Sequence, residues 1–211
     1  MRNDDPRAVE RVEDLRFLRG RGMFVDDLQS AGVSHAVIVR SQIAHGVIRG
    51  IDVEAARALP GVDAVLVAAD FGDDIPVLPL RLAPITGVER FLQPPIARHK
   101  VRYVGEILAI VLAETRALAE DAADLVVVDI DSLPAVVDTA GAERGDVILH
   151  EDILVEGKGT NIAARYTVGK GDVAAAFAAA DYVRKELFHS HRMTAAPLET
   201  RGLVARWEGG E

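Results

Sequence analysis

His189 and His191 come nearest, by residue type and spacing, to a metal site. Imidazole nitrogens ligate divalent metals, and residues two apart on a strand point to the same face. A site needs a third or fourth ligand, and Glu199 across a hairpin is the obvious candidate. The plainer reading is a polar sheet face. His45, in the turn Gln42-Ile43-Ala44-His45-Gly46, is a second group with acid–base chemistry. A lone histidine in a turn is more often a structural hydrogen-bonder than a catalyst. No Ser, Asp or Cys stands in a recognisable triad context, so a small hydrolase built on these histidines is set aside.

Two glycine patterns invite a phosphate reading. Gly20-Arg21-Gly22 has no preceding strand and no clear following helix, so the spacing predicts a turn leading into a short edge strand. Gly157-Lys158-Gly159-Thr160 resembles the end of a P-loop, but Asp152 stands where the first glycine belongs and Gly159 where Ser or Thr must follow the lysine. Arg81, Arg90, Arg98, His99 and Lys100 make one loop locally basic, and a solvated loop is preferred to an anion site. No catalytic, cofactor-binding or metal-ligating residue is assigned to this chain.

The elements that position these groups are organised around residues 101–138. Ile107 to Leu112 is an unbroken apolar run of strand length, which suits a strand buried on both faces. Thr115 follows as a helix cap. Leu118, Ala122 and Leu125 share one helix face, while Arg116, Glu120 and Asp124 line another. Val126-Val127-Val128 returns to β-branched residues and a strand, which Pro134 ends or edges. Upstream, residues 1–19 read as a charged arm, 34–41 as a strand, 52–59 as a helix capped by Asp52, and 62–69 as a strand. Residues 70–100 lose periodicity and carry Pro76, Pro79, Pro84, Pro94 and Pro95, which marks a long surface loop. Downstream, 143–159 reads as a linker and 161–168 as a strand. A helix opened by Gly171-Asp172 follows, with Val173, Ala176, Phe177 and Ala180 on its apolar face, and then strands over 182–191 and 198–207.

Bulk properties narrow the function classes. A chain of 211 residues can bury a real core. Its net charge of −9 argues against general nucleic-acid binding. With no cysteine, it can supply neither disulfides nor cysteine ligands for an iron–sulfur cluster. No apolar run approaches the roughly 20 residues that span a bilayer, and the charged N-terminus lacks a signal-peptide core. A cytoplasmic protein is expected.

The wording Val101-Arg102-Tyr103-Val104-Gly105-Glu106, an apolar strand, residues 113–126 and Leu133-Pro134-Ala135-Val136-Val137-Asp138 resembles the large, molybdenum-binding subunit of the xanthine dehydrogenase, aldehyde oxidase and carbon monoxide dehydrogenase family. The likeness is to its N-terminal α/β-hammerhead domain and extends over roughly residues 10–207. Arg19 to Asp27 resembles the family's entry segment, a Gly-x-Gly turn followed by an aromatic, an aliphatic and Asp. Arg40, Ser41, Ala44 and His45 resemble its Arg-Ser-Pro-x-Ala-His turn, with Gln42 where Pro is common, so a retained turn with a less rigid lead-in is expected. Residues 52–69 resemble its short helix, Leu-Pro-Gly-Val and strand. Ala196-Pro197-Leu198-Glu199-Thr200-Arg201-Gly202 resembles its Pro-Leu-Glu passage into the first cofactor-binding domain.

The resemblance implies an α+β chain: an α/β hammerhead followed by the first strands of a molybdopterin-binding domain. The expected divisions are an arm over 1–19, the hammerhead over 20–140, a linker over 141–160, and the start of a truncated molybdopterin-binding domain over 161–211. It implies a parent oxidoreductase acting on an aldehyde, a purine-like heterocycle or carbon monoxide, with water as oxygen source. Molybdopterin belongs to that parent assembly, and iron–sulfur clusters and FAD to partner subunits or domains. Neither the family's Gly-Gly-x-Phe-Gly type loop nor its Glu base is found in this sequence, so the chain is expected to be a fragment or one half of a split subunit, inactive alone. Its expected partners are the remainder of the molybdenum-binding subunit, the iron–sulfur and flavin subunits, or a second copy through unpaired strand edges. The alternative is a stand-alone, non-catalytic binding or assembly module that keeps the hammerhead.

Overall fold

The computed structural model describes residues 12–28, 30–80, 86–191 and 193–209. These fall into two units, one drawn from Met1–Gly32 with Phe177–Glu211, the other Val33–Ala176.

The larger unit is built on two three-stranded antiparallel sheets. In the first, β5 (Ile107–Ala113) lies between β1 (His35–Arg40) and β3 (Val62–Val67). In the second, β2 (Gly46–Asp52) lies between β4 (Lys100–Val101) and β6 (Val127–Ser132). The apolar run at 107–112 is therefore a central strand buried on both faces. Val111 and Ala113 pack into one core cluster and Leu108 into the other. A central strand is covered on both sides, which is why its sequence shows no polar alternation.

Two short helices close the first core, α2 (Glu54–Arg57) and α3 (Arg116–Asp124). Thr115 caps α3 by accepting a hydrogen bond from the Leu118 amide at 3.2 Å. Arg116 and Glu120 pair along its outer face at 2.9 Å. Ala119 and Ala122 are fully buried, so the helix meets the sheet through alanines. Leu125 does not join them as expected. The helix ends at Asp124, which leaves Leu125 as its C-terminal cap and 39% exposed. Replacing Thr115 by alanine leaves the Leu118 amide without its acceptor. It should lower stability by about 1 kcal/mol, the usual worth of such a cap, read as a shift in the urea midpoint at unchanged slope.

Strand, helix and strand follow one another through 107–132 as the sequence indicates, yet β5 and β6 enter different sheets. The helix expected over 52–59 is trimmed to α2. Val53 stands at its N-cap, while the Asp52 carboxylate takes the Glu54 amide at 3.0 Å. Among the described residues of 70–100, 3-10 turns at Ala68–Phe71 and Val88–Phe91 are the regular structure before β4, which fits the loop reading. Arg81 and Pro84 lie outside the described residues. The span read as a linker carries α4 (Thr139–Arg144), capped by Asp138 through the Gly141 amide at 2.7 Å. It also carries a hairpin of β7 (Leu154–Val155) and β8 (Lys158–Gly159). Local capping and turn chemistry suffice to form both.

Further corrections concern expected strands. The segments 161–168, 182–191 and 198–207 form no ladder among the described residues; the first is half-buried up to Ala164, and the described residues of the other two are exposed. Alternation can mark a strand, but only a neighbour with free N–H and C=O groups makes one. The helix between them, α5 (Val173–Ala179), does form, with Asp172 accepting the Ala175 amide at 2.9 Å. Phe177 on it is 61% exposed, so the predicted apolar face has no cover. In the smaller unit, α1 (Asp14–Leu18) precedes the Gly20-Arg21-Gly22 turn. A 3-10 turn at Val25–Asp27 stands where an edge strand was expected, because Asp27 folds back to accept the Phe24 amide at 2.9 Å.

Candidate functional site

His45 sits at the centre of a buried polar knot in the larger unit. Ser41, just after β1, makes two bonds with one residue. Its hydroxyl donates to the Ile43 carbonyl at 2.8 Å and accepts the Ile43 amide at 3.0 Å. That closes the turn, in which Gln42 is exposed. The turn is laced to a second one at Tyr103–Glu106. The Ser41 amide donates to the Glu106 carbonyl at 2.9 Å, and the Gly105 amide to the Ser41 carbonyl at 2.8 Å. Gly105 has φ of 92°, a conformation that favours glycine, and its own carbonyl accepts from Arg40 at 2.8 Å.

His45 is 2% exposed. Its Nδ1 lies 2.7 Å from the Pro134 carbonyl, and its own carbonyl accepts the Leu133 amide at 2.8 Å. A carbonyl oxygen only accepts, so Nδ1 carries the proton of this bond. That Nε2 is buried and has no hydrogen-bond partner among the described residues. His45 thus ties the first turn to the end of β6, the structural role that its context suggests.

Glu106 is the charged group that local sequence does not reveal. It is 4% exposed, and its carboxylate accepts the Arg102 amide at 2.6 Å. Burial pushes its pKa above the usual carboxylate value. The bond from the Arg102 amide, the Arg102 charge and the Tyr103 amide pull it back only in part. Arg102 in turn donates to the Leu149 carbonyl at 3.0 Å. Next to it, His150 packs edge-on to Phe91 at 5.4 Å and lies 3.3 Å from the Gln93 amide nitrogen. Burial, then the Arg102 charge, hold its pKa below the ordinary imidazole value.

These two shifts act on opposite sides of pH. A raised carboxyl pKa in the fold gives stability that is present below the unfolded value near 4.5 and lost as pH rises through the folded value. A lowered imidazole pKa gives stability that is present above 6.5 and lost as pH falls through the folded value. Glu106→Gln should therefore gain in melting temperature relative to the parent from pH 4 to pH 7. His150→Gln should gain from pH 7 to pH 5. Calorimetry at matched ionic strength checks both, and parallel curves for variant and parent would contradict them.

The other candidate residues are accounted for one by one. Arg98 is engaged internally, by Asp73 at 2.8 Å and by the Ala68 carbonyl at 3.1 Å. Lys100 pairs with Glu151 at 2.9 Å, and the His99 carbonyl accepts the Ile48 amide. The basic loop thus spends much of its charge within the fold. Glu156 and Gly157, at φ of 51° and 78°, form the tight turn of the β7–β8 hairpin, so Gly157 to Thr160 is hairpin and not phosphate loop. His189 and His191 lie in exposed, unpaired chain. Glu199 is engaged elsewhere, since its Oε1 accepts the Val25 amide at 2.9 Å. Among the described residues no three His, Asp or Glu side chains gather where they could hold a metal ion. None of the helices there is long and apolar enough to cross a membrane.

Comparison with known proteins gives this geometry a context. The family model described as aldehyde oxidase and xanthine dehydrogenase, a/b hammerhead domain, matches residues 19–134. A molybdopterin cofactor-binding domain model matches residues 154–211. The large subunit of nicotine 6-hydroxylase from Paenarthrobacter nicotinovorans is 38% identical over 210 residues, covering 100% of this chain and 25% of that protein. The carbon monoxide dehydrogenase large chain of Afipia carboxidovorans is 39% identical over 205 residues, covering 93% and 25%. Among solved structures, quinoline 2-oxidoreductase from Pseudomonas putida 86 aligns with a TM-score of 0.66 at 35% identity, covering 82% of this chain and 21% of that one. The chain thus spans about a quarter of the length of these curated relatives.

Proposed function

Because this chain belongs to the aldehyde oxidase and xanthine dehydrogenase family, whose members here are molybdenum-dependent oxidoreductases, we propose that it is the scaffold and subunit-contact portion of a molybdenum hydroxylase-type enzyme and is inactive by itself. The observation that carries this reading is the state of the described residues of 177–209. They overlap the match to the molybdopterin-binding domain, yet their extended segments are unpaired. Tyr182 is 75%, Phe188 83% and Trp207 78% exposed. Large apolar side chains in unpaired chain are what a cofactor domain looks like before the rest of its sheet covers it.

The residues present do not form a cradle for molybdopterin on their own. Such a cofactor needs backbone donors for its phosphate and walls that exclude water. The described part of the matching region offers one hairpin, one short helix and exposed chain. No catalytic step is therefore written for this chain. In the parent assembly we assign the hydroxylation to a partner segment carrying the cofactor loop, and electron transfer to iron–sulfur and flavin subunits, in a cytoplasmic complex. The substrate class is an aldehyde, a nitrogen heterocycle or carbon monoxide. The named relatives act on nicotine and carbon monoxide, and the neighbour on quinoline.

Capture of the chain from its native lysate, with molybdenum assayed in the eluate, tests the reading. Molybdenum together with a larger partner chain is expected. A chain that elutes alone and free of molybdenum would instead support a stand-alone module that keeps the hammerhead without the chemistry.

A further inference from the structure

We propose that Glu199 is a latch through which the segment Gly20–Leu28 docks on the Pro-Leu-Glu segment Ala196–Gly202 and fixes its position. The occupant of this surface is thus the chain's own upstream segment. Three observations within the smaller unit carry the proposal. Glu199 Oε1 accepts the Val25 amide at 2.9 Å, across 174 residues of sequence. A Cβ placed on Gly202 would lie 3.0 Å from Val25 Cγ1 and 3.1 Å from Val25 Cβ, so the two backbones approach closely where Gly202 has no side chain. The upstream segment is also stiffened to present that amide. Phe17 and Phe24 stack at 5.8 Å, and Gly22 leaves room for the Phe17 ring, which would stand 2.7 Å from an added Cβ. Asp27 holds the Phe24 amide, so the Val25 amide faces outward with no partner of its own turn.

The chemistry is that of a helix cap supplied from a distance. The first amide of a 3-10 turn has no acceptor within the turn, and a carboxylate oxygen meets that need. Glu199 meets it from the far end of the chain, so Pro197-Leu198-Glu199 serves docking. The inference goes beyond the proposed oxidoreductase role, since the latch needs neither cofactor nor partner to form.

The chain has no cysteine, which allows a direct test. Val25→Cys with Gly202→Cys would set the two Cβ atoms about 3.1 Å apart, so opening the contact by a few tenths of an ångström brings them to the roughly 3.5–4.5 Å of a disulfide, and the pair should cross-link under mild oxidation. The pair Leu28→Cys with Gly202→Cys serves as the control. Amide exchange over 26–28 and 198–204 supplies the second measurement. Glu199→Ala should raise exchange in both segments by about three- to tenfold, as loss of one cap does. Glu199→Gln, which keeps an acceptor oxygen, should stay near the parent. Val25→Pro removes the donor together with the isopropyl group that lies against Gly202. The extended Phe24, at φ −111° and ψ 172°, suits a residue before proline. This variant should raise exchange at least as far as Glu199→Ala does, and combining the two should add nothing beyond Val25→Pro alone. Additive effects, or a cross-link no faster than the control, would overturn the latch whether or not the chain binds molybdenum partners.

Discussion

His45→Ala will lower the stability of the larger unit by about 3 kcal/mol, within the range for truncating a large buried side chain. For a unit of this size that is a fall of roughly 6–12 °C in melting temperature. Two losses combine. The imidazole is 2% exposed, so its removal leaves a void among Ser41, the end of β6 and their neighbours. The Pro134 carbonyl also loses its donor, now held at 2.7 Å. Pro134 is itself exposed, so water can take the vacated acceptor and the void carries most of the loss. A loss under about 1 kcal/mol would mean that the turn closes over the space the ring leaves, or that water fills it. Far-ultraviolet circular dichroism is the appropriate probe. The single tryptophan, Trp207, belongs to the smaller unit and would not report this event.

The parts of this fold that could be read in advance are those decided within a few residues. Thr115 followed by an alternating polar and apolar run fixes α3, and the bond to the Leu118 amide is local. The run Ile107 to Leu112 is apolar throughout because β5 has a neighbour on each edge and a core on each face. His45 could be read as structural because no partner of catalytic type stood near it. Glu106 could not, since a glutamate in Val-Gly-Glu has the same local context whether it faces water or the interior. Only the approach of the Arg102 turn buries it. The division of β5 and β6 between two sheets was hidden for the same reason, as hydrophobic pattern gives the faces of a strand and not its neighbour. The strands expected beyond Asn161 show the limit of alternation most clearly. Val183 and Leu187 stand in a β-like sequence, but the described chain offers them no ladder. An expected hairpin sets Glu199 opposite the two histidines, whereas its actual partner is the Val25 amide.

Leu108→Ala will cost about 3 kcal/mol as well, but for a different reason, and its effect should couple across the two sheets. Leu108 lies on β5 of the first sheet and is 1% exposed. Its cluster holds Ala97 and Val101, with Ile48, Ile51, Val128 and Ile130 packed against it from β2 and β6 of the second sheet. No main-chain ladder joins the two sheets. The contact of Leu108 with those side chains is therefore a large part of what holds one sheet on the other. Val111, on the opposite face of β5, packs with α2, α3 and β3, so Val111→Ala removes support from the first core alone. If Leu108 acts as the tie, Leu108→Ala combined with Val101→Ala will cost less than the sum of the two single changes, because the first already loosens the second. Leu108→Ala combined with Val111→Ala will be closer to additive. Urea unfolding followed by circular dichroism gives all five values at one slope if the larger unit unfolds in one step. A lowered slope in Leu108→Ala alone would carry the stronger message, since it would mean that the two sheets had begun to separate before the rest of the unit unfolds.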